Sequence, residues 1–254
     1  MSWLGALAIG LSLGLLGSGG SILTVPVLVY LVGEPEKVAI AESLAIVGLI
    51  AAAAAVPNAR RGLVRWRTVL LFGVPGMAGS YLGAAAARYV DAAVQLSLFA
   101  AIMLLAAVLM FRPPRLAADE GAAARPVAKI ALEGLLVGLV TGLVGVGGGF
   151  LIVPALVLLG GLPIHTAIGT SLVIIALKSL AGFLKYRDVL AGLELTLDWS
   201  VIAGISAVGF AGTLAGAVLA RRLPRALLQR VFAAFLVAMG AFILWQYAPR
   251  VFGG

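Results

Sequence analysis

The sequence contains no cysteine and a single histidine, His165, and these absences remove several kinds of chemistry. Without cysteine there is no disulfide, no thiolate nucleophile and no thiolate metal ligand. One histidine cannot form a multi-histidine metal site within one chain. The chain also lacks an aspartate-rich metal motif. An enzyme would have little from which to build a catalytic site, so we expect neither catalysis nor a cofactor.

Charged residues are also scarce, at 11% of the 254 residues. Soluble domains carry about 25%. The chain is 63% hydrophobic, and its apolar runs approach the roughly 20 residues that cross a bilayer as a helix. A β-barrel would need alternating segments of about ten residues, and the sequence has none. The chain is therefore predicted to be an all-α polytopic membrane protein. The six clearest apolar runs are 38–56, 69–87, 92–111, 166–184, 200–220 and 231–248.

The net charge of +8 would point to nucleic acid if the protein were soluble. Twelve of the 18 basic residues, however, fall in three short segments between or after apolar runs. These segments, 60–67, 112–129 and 221–230, orient the chain in the membrane. We expect a multi-pass protein of the cell membrane, plasma or inner, whose partner is the lipid bilayer and not nucleic acid. The oligomeric state is open, with a homodimer among the alternatives.

Four segments of the first half recur in the same order in the second half. The offset is 128 residues for the first two pairs and 133 for the last two. Chance does not give four ordered matches, so the chain divides into repeats 1–111 and 130–254, joined by a polar linker at 112–129. The pairs are GSGGSILTVP at 17–26 with GVGGGFLIVP at 145–154, AIAESL at 39–44 with AIGTSL at 167–172, Trp66 with Trp199, and GMAGSYLGA at 76–84 with GFAGTLAGA at 209–217.

Equivalent loops of the two repeats carry opposite charge bias. The segment 60–67 holds four arginines, whereas its equivalent before Trp199 has acidic residues beside its two basic ones. At the next loop the bias is reversed, because Arg88 is balanced by Asp91 while 221–230 holds four arginines. The positive-inside rule therefore predicts inverted repeats, with the linker in the cytoplasm and both termini outside it. Inverted repeats are typical of secondary transporters.

Each repeat begins with two short apolar pieces separated by glycines, at 3–16 with 22–32 and at 130–144 with 150–160. Pieces of about 11–15 residues span roughly 16–22 Å as helix, which is marginal for a ~30 Å hydrocarbon core. We interpret each pair as a helix–break–helix hairpin that re-enters on one side, followed by three transmembrane helices. Two complete crossings would fit the charge pattern equally well. The Val-Pro pairs ending at Pro26 and Pro154 predict helices that start just before the prolines.

The glycine-rich breaks are the first candidate site. Non-helical backbone at membrane depth persists only where it is buried or lines a wet cavity, and helix N-termini present N–H groups that suit an anion. The alternative is that these glycines only permit close helix packing, which we predict for the sets at 76–83 and 209–216. The candidate substrate-binding residues at the breaks are Gly17, Gly19, Gly20, Ser21, Gly145, Gly147, Gly148 and Gly149.

Polar groups inside the apolar runs complete the candidate site. Ionisable residues at membrane depth are costly, and Lys178 lies in the interior of 166–184, where it could bind an anion or snorkel outward. The hydroxyls of Ser43, Thr170 and Ser171 could donate to a substrate oxygen or bond back to their own helix. Glu42 is a candidate for a coupling proton, for a pair with Lys178, or for complementing its helix N-terminus.

A family resemblance rests on four motifs of the second half. These are GxGGGFLxVPxL at 145–156, AxGTS at 167–171, Asp198-Trp199, and GxxGTxxGA at 209–217. Together they resemble the sulfite exporter TauE/SafE family of membrane transporters. The resemblance extends over nearly the whole chain, but SGGS at 18–21 replaces the triple glycine, and Glu42 replaces the threonine.

The resemblance implies export or uptake of small sulfur-containing or carboxylate anions, such as sulfite, sulfoacetate or related organosulfonates. We therefore expect a secondary transporter that binds a small anion at the middle of the membrane and works by alternating access. An anion channel with the same site is the alternative. No nucleotide-binding motif is present, so transport would use an ion gradient or be passive.

Overall fold

The structure is a computed structural model that describes residues 2–16, 20–111, 126–145, 149–156, 161–220 and 225–252. Every regular element in these residues is helical. Five of the described helices are long and apolar enough to cross a membrane, which confirms an all-helical chain with several candidate spans. These spans are Glu36–Arg60, Trp66–Tyr89, Val127–Val144, His165–Gly192 and Trp199–Leu219.

The helices follow the predicted apolar runs closely. Each described half contains a helix pair around the glycine-rich segment and then three longer helical stretches. A π-helix at Leu28–Val32 continues the helix Gly20–Val27, and a second one, at Val69–Gly73, joins the helices Trp66–Thr68 and Val74–Ala86. The helices are α1 Ser2–Leu16, α2 Gly20–Val27, α3 Glu36–Arg60, α4 Trp66–Thr68, α5 Val74–Ala86, α6 Ala92–Phe111, α7 Val127–Val144, α8 Gly149–Pro154, α9 Ile164–Gly192, α10 Trp199–Ala220 and α11 Arg225–Phe252.

The two prolines do not open helices, which corrects the expectation from the sequence. α2 begins at Gly20 and contains Pro26, while α8 begins at Gly149 and ends at Pro154. Proline has no N–H to donate, so it interrupts the hydrogen-bond ladder of a helix already formed. The first of these helices then continues in the wider π form over Leu28–Val32. The helices therefore begin at the glycines, and the prolines distort the turns that follow.

The glycine sets predicted as packing seams do bring helices into close contact. A Cβ on Gly79 of α5 would lie 2.8 Å from the backbone nitrogen of Leu139 of α7. A Cβ on Gly212 of α10 would lie 3.1 Å from the backbone nitrogen of Leu11 of α1. Gly79 and Gly212 are repeat equivalents, as are Leu139 and Leu11. The packing prediction for these glycines is confirmed, because any side chain would separate the paired helices.

Each seam joins a helix of one repeat to a helix of the other. The close approach of Gly138 to the backbone of Gly76 has an equivalent in that of Gly10 to the backbone of Gly209. α5 of the first repeat thus contacts α7 of the second repeat. Its equivalent, α10 of the second repeat, contacts α1 of the first repeat in the same way. Reciprocal contacts of this kind characterise an interface with two-fold symmetry.

The repeat-equivalent helices α3 and α9 pack against each other. Near the start of α9, Thr170 Oγ1 accepts a hydrogen bond of 3.0 Å from the backbone N–H of Arg65, which follows the end of α3. Near the start of α3, Glu42 Oε1 accepts one of 2.8 Å from the backbone N–H of Asp198, which follows the end of α9. Each helix therefore starts where the other ends, and the two run antiparallel.

The start of α1 and the end of α11 lie at the same end of the bundle as Asp198. The indole of Trp3 lies 3.2 Å from where a Cβ on Gly204, in the second turn of α10, would stand. The hydroxyl of Tyr247 donates to Glu36 Oε1 over 3.3 Å, at the first residue of α3. We call this the Asp198 end of the bundle and the opposite end the Arg65 end.

Candidate functional site

Lys178 lies at the midpoint of α9, with fourteen residues of the helix on either side, at 164–177 and 179–192. Its side chain is 0% exposed, and Nζ has no hydrogen-bond partner among the described residues. The ammonium group therefore does not reach the surface, as snorkelling would require. A buried amine without a partner needs an explanation, because native structures pair nearly all buried polar groups.

The stem of Lys178 occupies a slot that glycines leave open. A Cβ on Gly76 of α5 would lie 3.0 Å from Lys178 Cδ and 3.2 Å from the carbonyl oxygen of Gly134 of α7. The hydroxyl of Ser80 donates to the backbone oxygen of Lys178 over 2.9 Å and ties α5 to α9. Gly76 thus serves both packing and the lysine. Ser80 was not among the predicted site residues, although its equivalence to Thr213 in the repeat marked a polar position.

The equivalent slot in the other half holds no charge. Ile50 is the repeat equivalent of Lys178, and Gly209 is the equivalent of Gly76. A Cβ on Gly209 would lie 2.5 Å from Ile50 Cδ1 and 3.5 Å from its Cγ1. The same architecture therefore surrounds an isoleucine in one repeat and a lysine in the other. Of these two equivalent positions, Lys178 alone therefore supplies a cation.

The serine hydroxyls bond back to their own helices, one of the two alternatives left open by the sequence. Ser43 donates to the carbonyl of Ile40 over 2.8 Å, and Ser171 donates to that of Ile168 over 2.8 Å. The Ser43 hydroxyl also lies within a short hydrogen bond of the carbonyl oxygen of Gly145. This contact brings one predicted site residue from each repeat together, at the end of α7.

Glu42 and Thr170 perform the same structural task at equivalent positions. Each accepts a bond from the backbone N–H of a loop residue that precedes a tryptophan-initiated helix, Asp198 for Glu42 and Arg65 for Thr170. The second carboxylate oxygen of Glu42 is buried and has no hydrogen-bond partner in the described part of the chain. Glu42 does not pair with Lys178, because both Glu42 Oε2 and Lys178 Nζ are unpartnered there. That alternative from the sequence is wrong.

Asp198 itself caps the start of α10. Its Oδ1 accepts hydrogen bonds from the backbone N–H of Ser200 over 2.8 Å, from the Ser200 hydroxyl over 2.6 Å and from Val201 N–H over 3.2 Å. These bonds to Ser200 and Val201 lower the pKa of the Asp198 carboxyl. Burial, and secondarily the charge of Asp198, raise the pKa of the nearby Glu34 carboxyl. The loops at the Asp198 end thus hold carboxylates of different acidity.

Gly145 ends α7 in the left-handed conformation, with φ of +77°. Its N–H donates to the carbonyl of Thr141 over 2.9 Å, which is a helix C-cap that favours glycine. A side chain there would also collide with Ile40 of α3. The glycine is therefore required by both backbone conformation and packing.

The remaining break residues are only partly described. Gly20 and Ser21 are buried at the start of α2, where a Cβ on Gly20 would lie 2.8 Å from Leu13 Cβ of α1. Gly149 is buried and begins α8. In the described ranges, none of these residues forms a hydrogen bond with Lys178 Nζ. Four predicted site residues lie outside those ranges: Gly17, Gly19, Gly147 and Gly148.

A buried polar cluster that the sequence analysis missed holds the end of α7. Gln95 Nε2 donates to the carbonyl of Leu143 over 2.5 Å and to the Tyr186 hydroxyl over 2.9 Å. The Tyr186 hydroxyl donates to the same carbonyl over 2.9 Å. Lys37 Nζ donates to Gln95 Oε1 and, over 2.7 Å, to the carbonyl of Ala87. A glutamine in the apolar run at 92–111 was the available signal.

Comparison with known proteins assigns the chain to a family. The family model described as "Sulfite exporter TauE/SafE" matches residues 2–243. The chain belongs to the TauE/SafE family. A probable membrane transporter protein of Xylella fastidiosa (strain Temecula1) is 35% identical over 246 residues, covering 94% of this chain and 92% of the relative. One from Haemophilus influenzae is 27% identical over 249 residues, covering 92% and 93%.

More distant TauE/SafE relatives carry the same description. A probable membrane transporter protein of Methanocaldococcus jannaschii is 27% identical over 190 residues, covering 70% of each chain. No solved structure matches the chain. The resemblance drawn from the glycine motifs is confirmed, and the protein is a membrane transporter of the TauE/SafE family. The family and the relatives' names indicate a transporter and not an enzyme.

Proposed function

We propose that this TauE/SafE protein is a secondary transporter of a small anion, such as sulfite, an organosulfonate like sulfoacetate, or a related carboxylate. It works by alternating access of two inverted halves around a site at the middle of the membrane. The observation that carries the proposal is Lys178, a fully buried amine at the midpoint of a candidate span, to which none of the described residues offers a hydrogen bond. An ionisable group at that depth is expensive and is a functional candidate by default.

The inverted arrangement has three independent supports. Equivalent glycines make reciprocal contacts between the halves, as at Gly138 with Gly76 and at Gly10 with Gly209. The equivalent helices α3 and α9 run antiparallel. The arginine-rich segments give the two halves opposite charge bias. With the Arg65 end in the cytoplasm, the Asp198 end and both termini lie outside it, in the cell membrane.

Within this proposal the glycine breaks and the hydroxyls complete the substrate site. Gly17–Ser21 and Gly145–Gly149 supply backbone that can approach the anion closely. Ser43, Thr170 and Ser171 exchange their present hydrogen bonds for substrate oxygens as the halves move. Glu42 is the candidate for a coupling proton. The working unit is one chain or a homodimer, which light scattering on the purified protein distinguishes.

The decisive experiment removes the Lys178 amine. Purified protein is first screened by thermal shift against sulfite, thiosulfate, sulfoacetate, taurine and short carboxylates, because a bound ligand stabilises by mass action. Lys178→Ala is expected to abolish saturable binding of the stabilising anion while the protein stays folded.

Lys185→Ala is the matched control. It removes an amine two helical turns further along α9, where Lys185 pairs with Asp188 at 3.1 Å. Unchanged affinity in Lys178→Ala would contradict the role assigned to Lys178. Flux through proteoliposomes that does not saturate and shows no counterflow would favour an anion channel instead.

A further inference from the structure

We infer that Lys178 carries the coupling proton, so that each transport cycle moves one proton together with one monovalent anion and the loaded site is electrically neutral. The inference rests on the proposed function, because it requires that the anion bind at Lys178. It adds the identity of the coupling ion, the residue that holds it and the charge class of the substrate.

The first step is the absence of any counter-charge on Lys178 among the described residues. The Gly76 backbone lies against the Lys178 stem, and the Ser80 hydroxyl donates to the Lys178 backbone carbonyl; neither group is ionisable. Among the described residues, Nζ forms no hydrogen bond with any titratable group on its own helix or on the helices packed against it. Those groups are Glu36, Lys37, Glu42 and Arg60 on α3, Tyr81 on α5, Lys129 and Glu133 on α7, and His165, Lys185, Tyr186, Arg187 and Asp188 on α9 itself.

The second step is the free energy of an isolated ion in an apolar interior. An ammonium group that loses water and gains no partner is strongly disfavoured, whereas a neutral amine is tolerated. An anion alone in the same slot is disfavoured for the same reason. The two charges stabilise each other, so the proton and the anion enter and leave together. The amine gains an N–H bond from a solvent proton on loading and returns that proton on release, and no other bond changes.

The third step is the broken symmetry of the slot. Ile50 replaces the lysine in the first repeat, so the two-fold arrangement adds no second cation. One ammonium neutralises one negative charge. A dianion would keep an uncompensated charge at membrane depth, which is costly. The site therefore selects anions that carry a single charge, such as an alkyl sulfonate, hydrogensulfite or a monocarboxylate, over dianions such as sulfate, thiosulfate or fully ionised sulfoacetate, which narrows the proposed substrate class.

Glu42 is a weaker carrier of the proton for a structural reason. The equivalent residue in the second repeat is Thr170, which accepts the equivalent backbone hydrogen bond but is not titratable. A task that a threonine performs in one half does not require a carboxyl group in the other. The amine of Lys178 has no such second task, because Nζ holds nothing in place.

The first test counts protons on binding. Isothermal titration calorimetry of the purified protein with methanesulfonate at pH 8, in two buffers of different ionisation enthalpy, is expected to show uptake of about one proton per anion. Methanesulfonate is chosen because it does not titrate itself. Acetate is expected to behave alike, and sulfate to bind at least about tenfold more weakly. Binding without proton uptake, tighter binding of sulfate, or no binding of methanesulfonate or acetate would overturn the inference.

The second test uses an amine that cannot lose its proton. In Lys178→Arg the guanidinium stays charged in proteins. This variant is expected to bind methanesulfonate without proton uptake and to keep exchange of internal for external anion in proteoliposomes. Net uptake driven by a pH gradient is expected to fall at least about tenfold, because the empty site no longer neutralises. Retained exchange shows that the variant is folded.

Two further variants complete the design. Lys178→Met is expected to lose both exchange and net uptake, and Lys185→Met is expected to match the unmodified protein. A Lys178→Arg protein that couples anion to proton normally would overturn the inference. Proton-linked binding without flux in proteoliposomes would support Lys178 as the residue that binds the proton and would contradict the proposed transport function. Flux without proton uptake on binding would contradict the inference about Lys178 and leave the proposed transport function standing.

Discussion

At the scale of single residues, the duplication provides an internal comparison for each polar group. Glu42 and Thr170 differ in charge but accept the same backbone hydrogen bond, from Asp198 and Arg65. The acceptor is therefore common to both halves, and the charge is not. Lys178 has no counterpart of this kind, because its equivalent is Ile50. The comparison separates a polar group that holds the fold from one that is free for a ligand.

This comparison yields a prediction for Glu42. Glu42→Gln retains an oxygen that can accept the Asp198 N–H, and we expect both thermal stability and proton-coupled uptake to be retained. Glu42→Leu removes the acceptor, and an unmade hydrogen bond at a partly buried site costs about 1–3 kcal/mol. Thermal unfolding in detergent and uptake driven by a pH gradient measure the two effects. Loss of proton coupling in a stable Glu42→Gln protein would move the coupling role from Lys178 to Glu42.

The sequence predicted the polar candidates better than their partners. A lysine at 178 in an apolar run is conspicuous in any hydropathy profile, and its burial confirms that it does not snorkel. The partners depend on which helices meet, which hydropathy does not encode. The hydrogen bonds of Gln95 and Tyr186 to the carbonyl of Leu143 join three helices that are distant in sequence. No local pattern relates these residues.

At the scale of helices, glycine seams determine which elements pair. α5 with α7 and α1 with α10 approach so closely that side chains at the contact would meet backbone. In a membrane such packing replaces the hydrophobic effect as the force that associates helices. The motif spacing Gly76, Gly79, Gly83 and its repeat predicted these seams correctly. The motif could not predict which helix each glycine set packs against. Each set contacts a helix of the other half, and the spacing of the glycines does not encode that pairing.

A substitution in one seam tests its contribution. A Cβ on Gly79 would lie 2.8 Å from Leu139 N and 3.0 Å from the carbonyl carbon of Leu135, so the α7 backbone must shift. Overpacking of this kind costs about 1–3 kcal/mol, and we expect Gly79→Ala to lower the midpoint of thermal unfolding. Gly192→Ala is the control, since a Cβ there meets nothing within 4 Å. Equal midpoints for the two variants would contradict the tight packing of α5 on α7.

Helix bounds were the most predictable feature at this scale. The apolar run at 92–111 coincides with α6, and the run at 200–220 begins one residue after the start of α10. The position of Pro26 was not predicted correctly, because proline is equally compatible with a helix start and with a distorted turn. The π-helix Leu28–Val32 shows the second outcome. Hydropathy records how long a span is, and not how regular its backbone is.

At the scale of the whole molecule, charge distribution and packing converge on one arrangement. The segment 60–67 with its four arginines adjoins the start of α9 through Arg65 and Thr170. The opposite end brings Asp198, Glu42 and Glu34 together. A molecule with arginines at one end and carboxylates at the other has a defined orientation across the membrane under the positive-inside rule. The proposed inverted arrangement places equivalent loops on opposite sides of the membrane.

The absence of native cysteine makes this orientation directly measurable, because a single introduced cysteine is the only thiol. Cysteine at Arg67 or Lys129 is expected to react with a membrane-impermeant maleimide only after the cell membrane is permeabilised. Cysteine at Arg187 is expected to react in intact cells. The unmodified protein, which should not label, is the control. All three residues are exposed in the structure, so burial does not limit the reaction. Labelling of all three from one side would break the inverted arrangement and, with it, alternating access around Lys178.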